Sequence, residues 1–391
     1  MTRPQPDRSG PVLVGGRRTA IGTAGHAFRT CDVIELAAPV LAAVADQVSV
    51  LDLPIDDVIL GNCLGPGGDI ARVAGLAAGL GDAVPGVTVD RQCGSGLEAV
   101  LQAASRVRAG EAELVLAGGV ESASTAPWRY WPPTGGTDPE RYTRAPFAPP
   151  GYPDPDMGDA ADALAALLGI SRRRQDNYAA RSHLLTWQAA DAGSYDTEIV
   201  AVQGVSRDER PRAGLTADRL ARLRPSFGES GTATAGNSCG ISDGAAAVAV
   251  TTEHAASDAG LPYLRIVAAA VAAGRPDLPG LAPAPAVRRL LAAPAAVQRG
   301  LTLADIGAVE ITEAFASVVL AVIDDLGLDQ DLVCADGGAI GLGHPWGASG
   351  TILLLRLAAR MLAPTGPSLG LATCAIGGGQ GLAVLLERPA N

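Results

Sequence analysis

Apolar residues fall along this chain in two alternating periods. The runs PVLVGG (11–16), DVILGNC (57–63), VPGVTVD (84–90) and AELVLAGG (112–119) are almost continuously apolar or small, the pattern of strands covered on both faces. Between them, 33–48, 70–80 and 96–109 place apolar side chains at helical spacing, as Leu97, Val100, Leu101, Ala104 and Val107 show. Strands separated by helices predict right-handed crossovers and a mostly parallel, buried sheet. A second run of the same kind starts near Arg265: YLRIVAAAV, a helix at 284–298, AVEIT, a helix at 314–326, DLVCAD, a helix at 348–362, then GLATCAI and GLAVLLE as adjacent strands. Each run sets a small-residue turn before a helix, CGSG at 93–96 and GHPWGASG at 343–350. The pattern predicts an internal duplication, with two equivalent α/β units packed together.

The stretch between the runs differs. Residues 124–156 are rich in Pro, Gly, Trp and Tyr, which predicts a long ordered loop whose Trp128, Tyr130 and Trp131 either shape a pocket or cap the segment. Helical periodicity resumes from Asp159 to Ala192, and Arg is dense from Arg172 to Arg224, either as a solvated face or as an anion-binding patch.

At 391 residues the chain suffices for two or three packed units. A net charge of −11 argues against a nucleic-acid surface, which needs a basic face. All 30 basic residues are Arg, and without a lysine the chain can run neither Schiff-base chemistry nor a lysine-bearing phosphate loop. No window holds about 18 uninterrupted apolar residues, and the start MTRPQPDRSG has no apolar leader core, so a soluble, cytoplasmic protein without membrane contact is expected. The cysteines at 31, 63, 93, 239, 334 and 374 have no metal-ligand spacing and read as reduced thiols, with no metal site expected.

Cys93 carries the strongest chemical signal. A thiol between a strand end and a helix start meets unpaired N–H groups and the positive end of a helix dipole, which favour the nucleophilic thiolate. Gly94 and Gly96 would let a substrate approach the backbone. Four further runs, GTATAGNSCGISDGAAAV, ITEAFAS, GGAIGLGHPWGASG and CAIGGGQG, together with CGSG and MGDAADALAALLGISRRRQDNYAARSH, resemble the thiolase family over residues 12–388. The resemblance implies duplicated βαβαβαββ halves in five α-β-α-β-α layers with an inserted loop domain. Its parts would be an N-terminal half (1–121 and 244–263), the loop domain (122–243) and a C-terminal half (264–391). It also implies acyl transfer from a coenzyme A thioester through a cysteine, no prosthetic group, and a homodimer or homotetramer.

Residue by residue, the resemblance makes Cys93 the acylated nucleophile and His344 its activating imidazole. The N–H groups of Cys93 and Gly377 would be oxyanion donors. Cys239 and Gly240 would line the pantetheine channel, and Arg219, Arg222 or Arg224 would meet the coenzyme A phosphates, although neighbouring arginines could serve equally. The sequence departs from the family pattern at two working positions. Thr312 stands where an Asn holds a water, and Ala375 where a second Cys acts as acid/base, with Cys374 one residue earlier and expected to face the other way. Asp90 and Asp336 also replace Asn, and a carboxylate beside the thiol would oppose its ionisation or act as a base itself. The combination implies ready acyl-enzyme formation with altered Claisen condensation or thiolysis. Transfer to another nucleophile, thioester hydrolysis, a non-catalytic acyl-binding subunit and a carrier-bound acyl donor are the alternatives.

Overall fold

The computed structural model describes residues 10–390; all but the last residue of the start MTRPQPDRSG, in which no apolar leader core is expected, lies outside them. Nine strands form one continuous path. Its first half runs Gly86–Val89, Asp57–Gly61, Leu114–Glu121, Ser242–Thr252 and Pro11–Thr19. The second runs Tyr263–Ala273, Gln380–Glu387, Leu369–Ile376 and Ala308–Ile311. The halves join where Val12, Leu13 and Val14 pair antiparallel with Arg265, Leu264 and Tyr263.

Read outward from that join, the halves repeat. Each has two antiparallel pairings and then a parallel one, Leu114–Glu121 with Asp57–Gly61 in the first and Leu369–Ile376 with Ala308–Ile311 in the second. The first half has a fifth strand, Gly86–Val89, parallel to Asp57–Gly61. Its counterpart in DLVCAD is not a strand: a 3₁₀ turn at Gln330–Leu332 leaves one bridge between Val333 and Val309, and Cys334 has φ +45°. The predicted 284–298 helix is also broken, into Pro283–Leu291 and Pro294–Val297, because Pro294 lacks the N–H the helix interior needs. The pattern did not predict the central Ser242–Thr252 strand, whose alanines are weak strand formers.

The layers follow from side-chain alternation. Along Ser242–Thr252, Ala246, Val248 and Val250 face the central helices Ser95–Ala109 and Trp346–Leu362, while Ala245, Ala247 and Ala249 face the outer helix Val33–Gln47. In the second half Ala372, Cys374 and Ile376 face the same central helices, and Leu371 faces the outer helices Pro283–Leu291 and Ala316–Leu326. Two sheet halves thus sandwich a pair of buried helices and carry further helices outside, the five-layered α/β arrangement. No helix of the described residues is long and apolar enough to cross a membrane.

Residues 122–241 separate two strands that in the second half are joined by Gly377–Gly379 alone. A buried charge cluster ties this segment to both halves. Arg18 donates to Glu198 (2.8 Å) and in bidentate fashion to Asp208 (2.6 and 2.9 Å), while Arg356 reaches Glu198 (2.9 Å) and Asp336 (3.0 Å). The ring of Tyr195 lies under both guanidinium groups. Glu198→Ala would leave each arginine short of an acceptor in a site closed to water. The expected loss is about 3–5 kcal/mol of stability, read from urea denaturation midpoints.

Candidate active site

Two helix N-termini meet at the site. Cys93 sits in a 3₁₀ turn, Gln92–Gly94, which leads into Ser95–Ala109. The turn is held by Ser95 Oγ, which accepts the Arg91 N–H (2.8 Å) and donates to the Gln92 carbonyl (2.7 Å), and by Asp90, which accepts the Gln92 N–H (2.8 Å). Asp90 therefore works as a turn acceptor. Gly94 and Gly96 do not open the backbone to substrate as expected. A Cβ on Gly94 would lie 2.5 Å from Ile376 Cδ1, and one on Gly96 would lie 2.7 Å from the Gly347 carbonyl oxygen. They are glycines because the C-terminal half packs directly on the turn.

His344 precedes the Trp346–Leu362 helix. Gly343, at φ +115°, turns the chain where a side chain would collide with Ser242, and the His344 N–H donates to the Gly240 carbonyl (3.1 Å). The Ser349 hydroxyl sends its one proton to the Pro345 carbonyl (3.0 Å), so it accepts from His344 Nδ1–H (2.6 Å). That fixes the tautomer: Nε2 carries the lone pair, and it has no partner among the described residues. Burial pushes His344 down to about 4, so the ring is neutral near pH 7.

Cys93, His344 and Cys239 share the wall of one cavity of about 110 Å³ with Ala375 and Gly377. The remaining wall is mainly apolar, from Met157, Ala160, Ala161, Gly280, Phe315 and Val318. Burial dominates the thiols. It pushes Cys93 well up, with the neighbouring Cys374 and Cys239 adding to the effect, and Cys239 is pushed up to about 12. Burial thus opposes the thiolate that the helix start was expected to favour.

The other predicted residues divide. Cys374 is buried among the central helices and does not line the cavity; its strand pairs in unbroken register, Cys374 with Leu382 and Ala375 with Gly381, so no bulge turns it round. The Thr312 hydroxyl is buried and unpartnered, also off the cavity wall. Asp336 is engaged by Arg356 and is not placed against the thiol. Gly240 lies beside Cys239 behind the wall. Arg219 donates to the Gly214 carbonyl (2.8 Å), and Arg219, Arg222 and Arg224 are exposed away from the cavity. Trp128, Tyr130 and Trp131 shape no part of this wall. All three are exposed, Tyr130 and Trp131 on the Arg129–Trp131 and Glu140–Tyr142 hairpin, where Trp131 stacks on Tyr142, and Trp128 just before it.

Sequence reasoning missed three positioning residues. Glu313, raised by burial, accepts from Tyr178 (2.7 Å), Ser182 (2.6 Å) and the Ile340 N–H (3.1 Å), and so anchors the segment leading to His344. Glu121 accepts the N–H groups of Cys63, Leu64 and Gly347, which fixes the start of the His344 helix against the first half. The Arg210 guanidinium lies over Gly240 and donates to the Ile340 carbonyl (3.3 Å).

A doubled α/β fold that presents a half-buried thiol and a neutral imidazole at two apposed helix starts fits an acyltransferase of the thioester-using class. Residues 11–254 match the family described as Thiolase, N-terminal domain, and residues 261–388 match Thiolase, C-terminal domain; the chain belongs to the thiolase family and is an acyltransferase. It is 41% identical over 386 residues to the putative acetyl-CoA C-acetyltransferase VraB of Staphylococcus epidermidis, covering 97% of this chain and 98% of that one. It is also 41% identical over 406 residues to the acetyl-CoA acetyltransferase of Escherichia coli, at 96% and 98% coverage. The crystal structure of the Bacillus anthracis acetyl-CoA acetyltransferase superposes with a TM-score of 0.88 at 36% identity, over 97% of this chain and 99% of that one.

His183 gives the site region a pH signature. It is buried, its Nε2 meets the Gly236 carbonyl (2.9 Å), and desolvation lowers it to about 4. A folded-state value below the unfolded one gives stability that is complete above about pH 6.5 and lost as pH falls towards 4. Measured against His183→Gln by urea denaturation at pH 7.5 and 4.5, the parent's relative stability should drop by on the order of 3 kcal/mol.

Proposed function

We propose that this enzyme takes an acyl group from a coenzyme A thioester onto Cys93, with His344 as the base. The observation that carries the reading is the unpartnered Nε2 lone pair of a neutral imidazole in the cavity wall that also holds the thiol. Because burial keeps Cys93 protonated when the site is empty, its proton passes to Nε2 as sulfur attacks the thioester carbonyl. The tetrahedral oxyanion is met by the N–H groups of Cys93 and Gly377. Collapse expels the coenzyme A thiolate, which leaves with the proton held by His344. The largely apolar wall favours an uncharged acyl group. The acyl group then passes to a second acyl thioester or back to free coenzyme A, so the enzyme works on acyl-coenzyme A substrates without a prosthetic group.

Intact-protein mass spectrometry after mixing with acetyl-coenzyme A, followed by peptide mapping, should place an acetyl group on Cys93. Cys93→Ser should abolish the adduct, and an acetyl group mapped to Cys239 or Cys374 in the parent would refute the assignment. His344→Ala should slow single-turnover acylation by on the order of 10²-fold or more. An unchanged rate in that variant would leave His344 only a structural part.

A further inference from the structure

Carbon–carbon chemistry at an acyl thioester needs a group that removes and returns an α-proton, and Ala375 cannot be that group. Of the side chains lining the cavity, only Cys93, His344 and Cys239 can exchange a proton near neutrality. Cys93 is occupied once acylated, and Cys374 and Asp336 lie off the cavity wall. Cys239 remains, and its surroundings differ from those of an inert buried thiol. Beside it, over Gly240, lies the Arg210 guanidinium, which makes no ion pair among the described residues and whose Nε is buried without a partner. Arg210 is lowered by desolvation and favoured in its charged form by Cys239; Cys239 is in turn drawn down by Arg210 against the effect of burial. A cation without a carboxylate partner next to a half-buried thiol is the environment that sustains a thiolate.

We propose that Cys239 is the acid/base residue for the α-carbon of the second thioester, and that Arg210 is the positioning residue that holds its negative charge. The proposal rests on acylation of Cys93 as described above. After coenzyme A has left with the first proton, Cys239 gives its thiol proton to His344 Nε2. The Cys239 thiolate then takes an α-proton from the second acyl thioester, and the resulting carbanion attacks the acyl carbonyl on Cys93. Collapse breaks the carbonyl–sulfur bond, and Cys93 recovers its proton from the imidazolium. All three groups return to their starting state, and no oxidant or further reactant is consumed. Thiolysis is the same sequence reversed.

The test separates the half-reactions of the full-length enzyme. Acylation is read as the mass adduct on Cys93, and α-proton transfer as deuterium uptake from D₂O into the methyl group of acetyl-coenzyme A. In Cys239→Ser the adduct should still form, while deuterium uptake falls on the order of 10²- to 10⁴-fold. Adding Ala375→Cys to that variant should restore part of the uptake, which a purely structural role for Cys239 would not allow. Arg210→Gln should move the pH midpoint of deuterium uptake upward, because the thiolate loses its counter-charge. Deuterium uptake at the parent rate in Cys239→Ser would overturn the proposal and leave His344 as the sole base. Loss of the adduct together with uptake in that variant would also overturn it, making Cys239 part of the cavity's construction. A parent that forms no adduct would refute the acyl-enzyme reading itself, which is a different failure.

Discussion

Everything at this site depends on how closely the two central helices approach at their N-termini. A Cβ on Gly350 would run into Leu97, one on Gly96 would press on Gly347 and Thr351, and one on Gly119 would meet the Gly347 backbone. Any of these added carbons forces the helices apart or strains them, an overpacking that costs about 1–3 kcal/mol in a filled core. Cys93 lies three residues before Gly96, and His344 three residues before Gly347. The contact between those glycines therefore registers the Cys93 turn of one half against the His344 turn of the other. A duplicated fold has, in effect, used the same position twice, once for a thiol and once for an imidazole.

Burial sets how that pair works. Burial holds the cavity's reactive groups neutral, thiols raised and imidazole lowered, with Arg210 drawing Cys239 only part of the way back. Other buried charged and acidic groups sit in bonded clusters away from the cavity, as in the Arg18–Glu198–Arg356 cluster and in the donors around Glu121 and Glu313. Those clusters hold the scaffold rigid while the cavity stays uncharged until a substrate arrives. In the proposed mechanism reaction then begins with proton exchange between two neutral groups, and a low-dielectric wall strengthens every charge so created.

Much of this was legible in the sequence where a local rule coincided with the global fold. The turn before each central helix, the strand and helix periods and the duplicated order are properties of short windows, and short windows carried them. The misses are residues whose role comes from partners distant in the chain. Nothing near Arg210 announces that its guanidinium will lie over Gly240, and Glu313 reads as one motif residue until Tyr178, Ser182 and Ile340 converge on it. Ser242–Thr252 failed for the opposite reason: its local propensity is poor, and only its central place between two strands makes it extended. Burial was likewise invisible to the argument for a Cys93 thiolate, since a helix start says nothing about what covers it.

The neighbouring positions 374 and 375 show how little room the fold leaves for compensation. Successive residues of a strand belong to different layers, so Cys374 packs among the central helices while Ala375 faces the cavity. Moving the thiol by one residue would require a bulge, but the pairing with Gln380–Glu387 runs without a break from Leu369 to Ile376. That regularity also positions Gly377 at the strand end, so a bulge that rescued the thiol would displace the backbone beside Cys93. A chain constrained in this way can restore a lost side-chain function only from a different element facing the same cavity, and the loop that carries Cys239 is such an element.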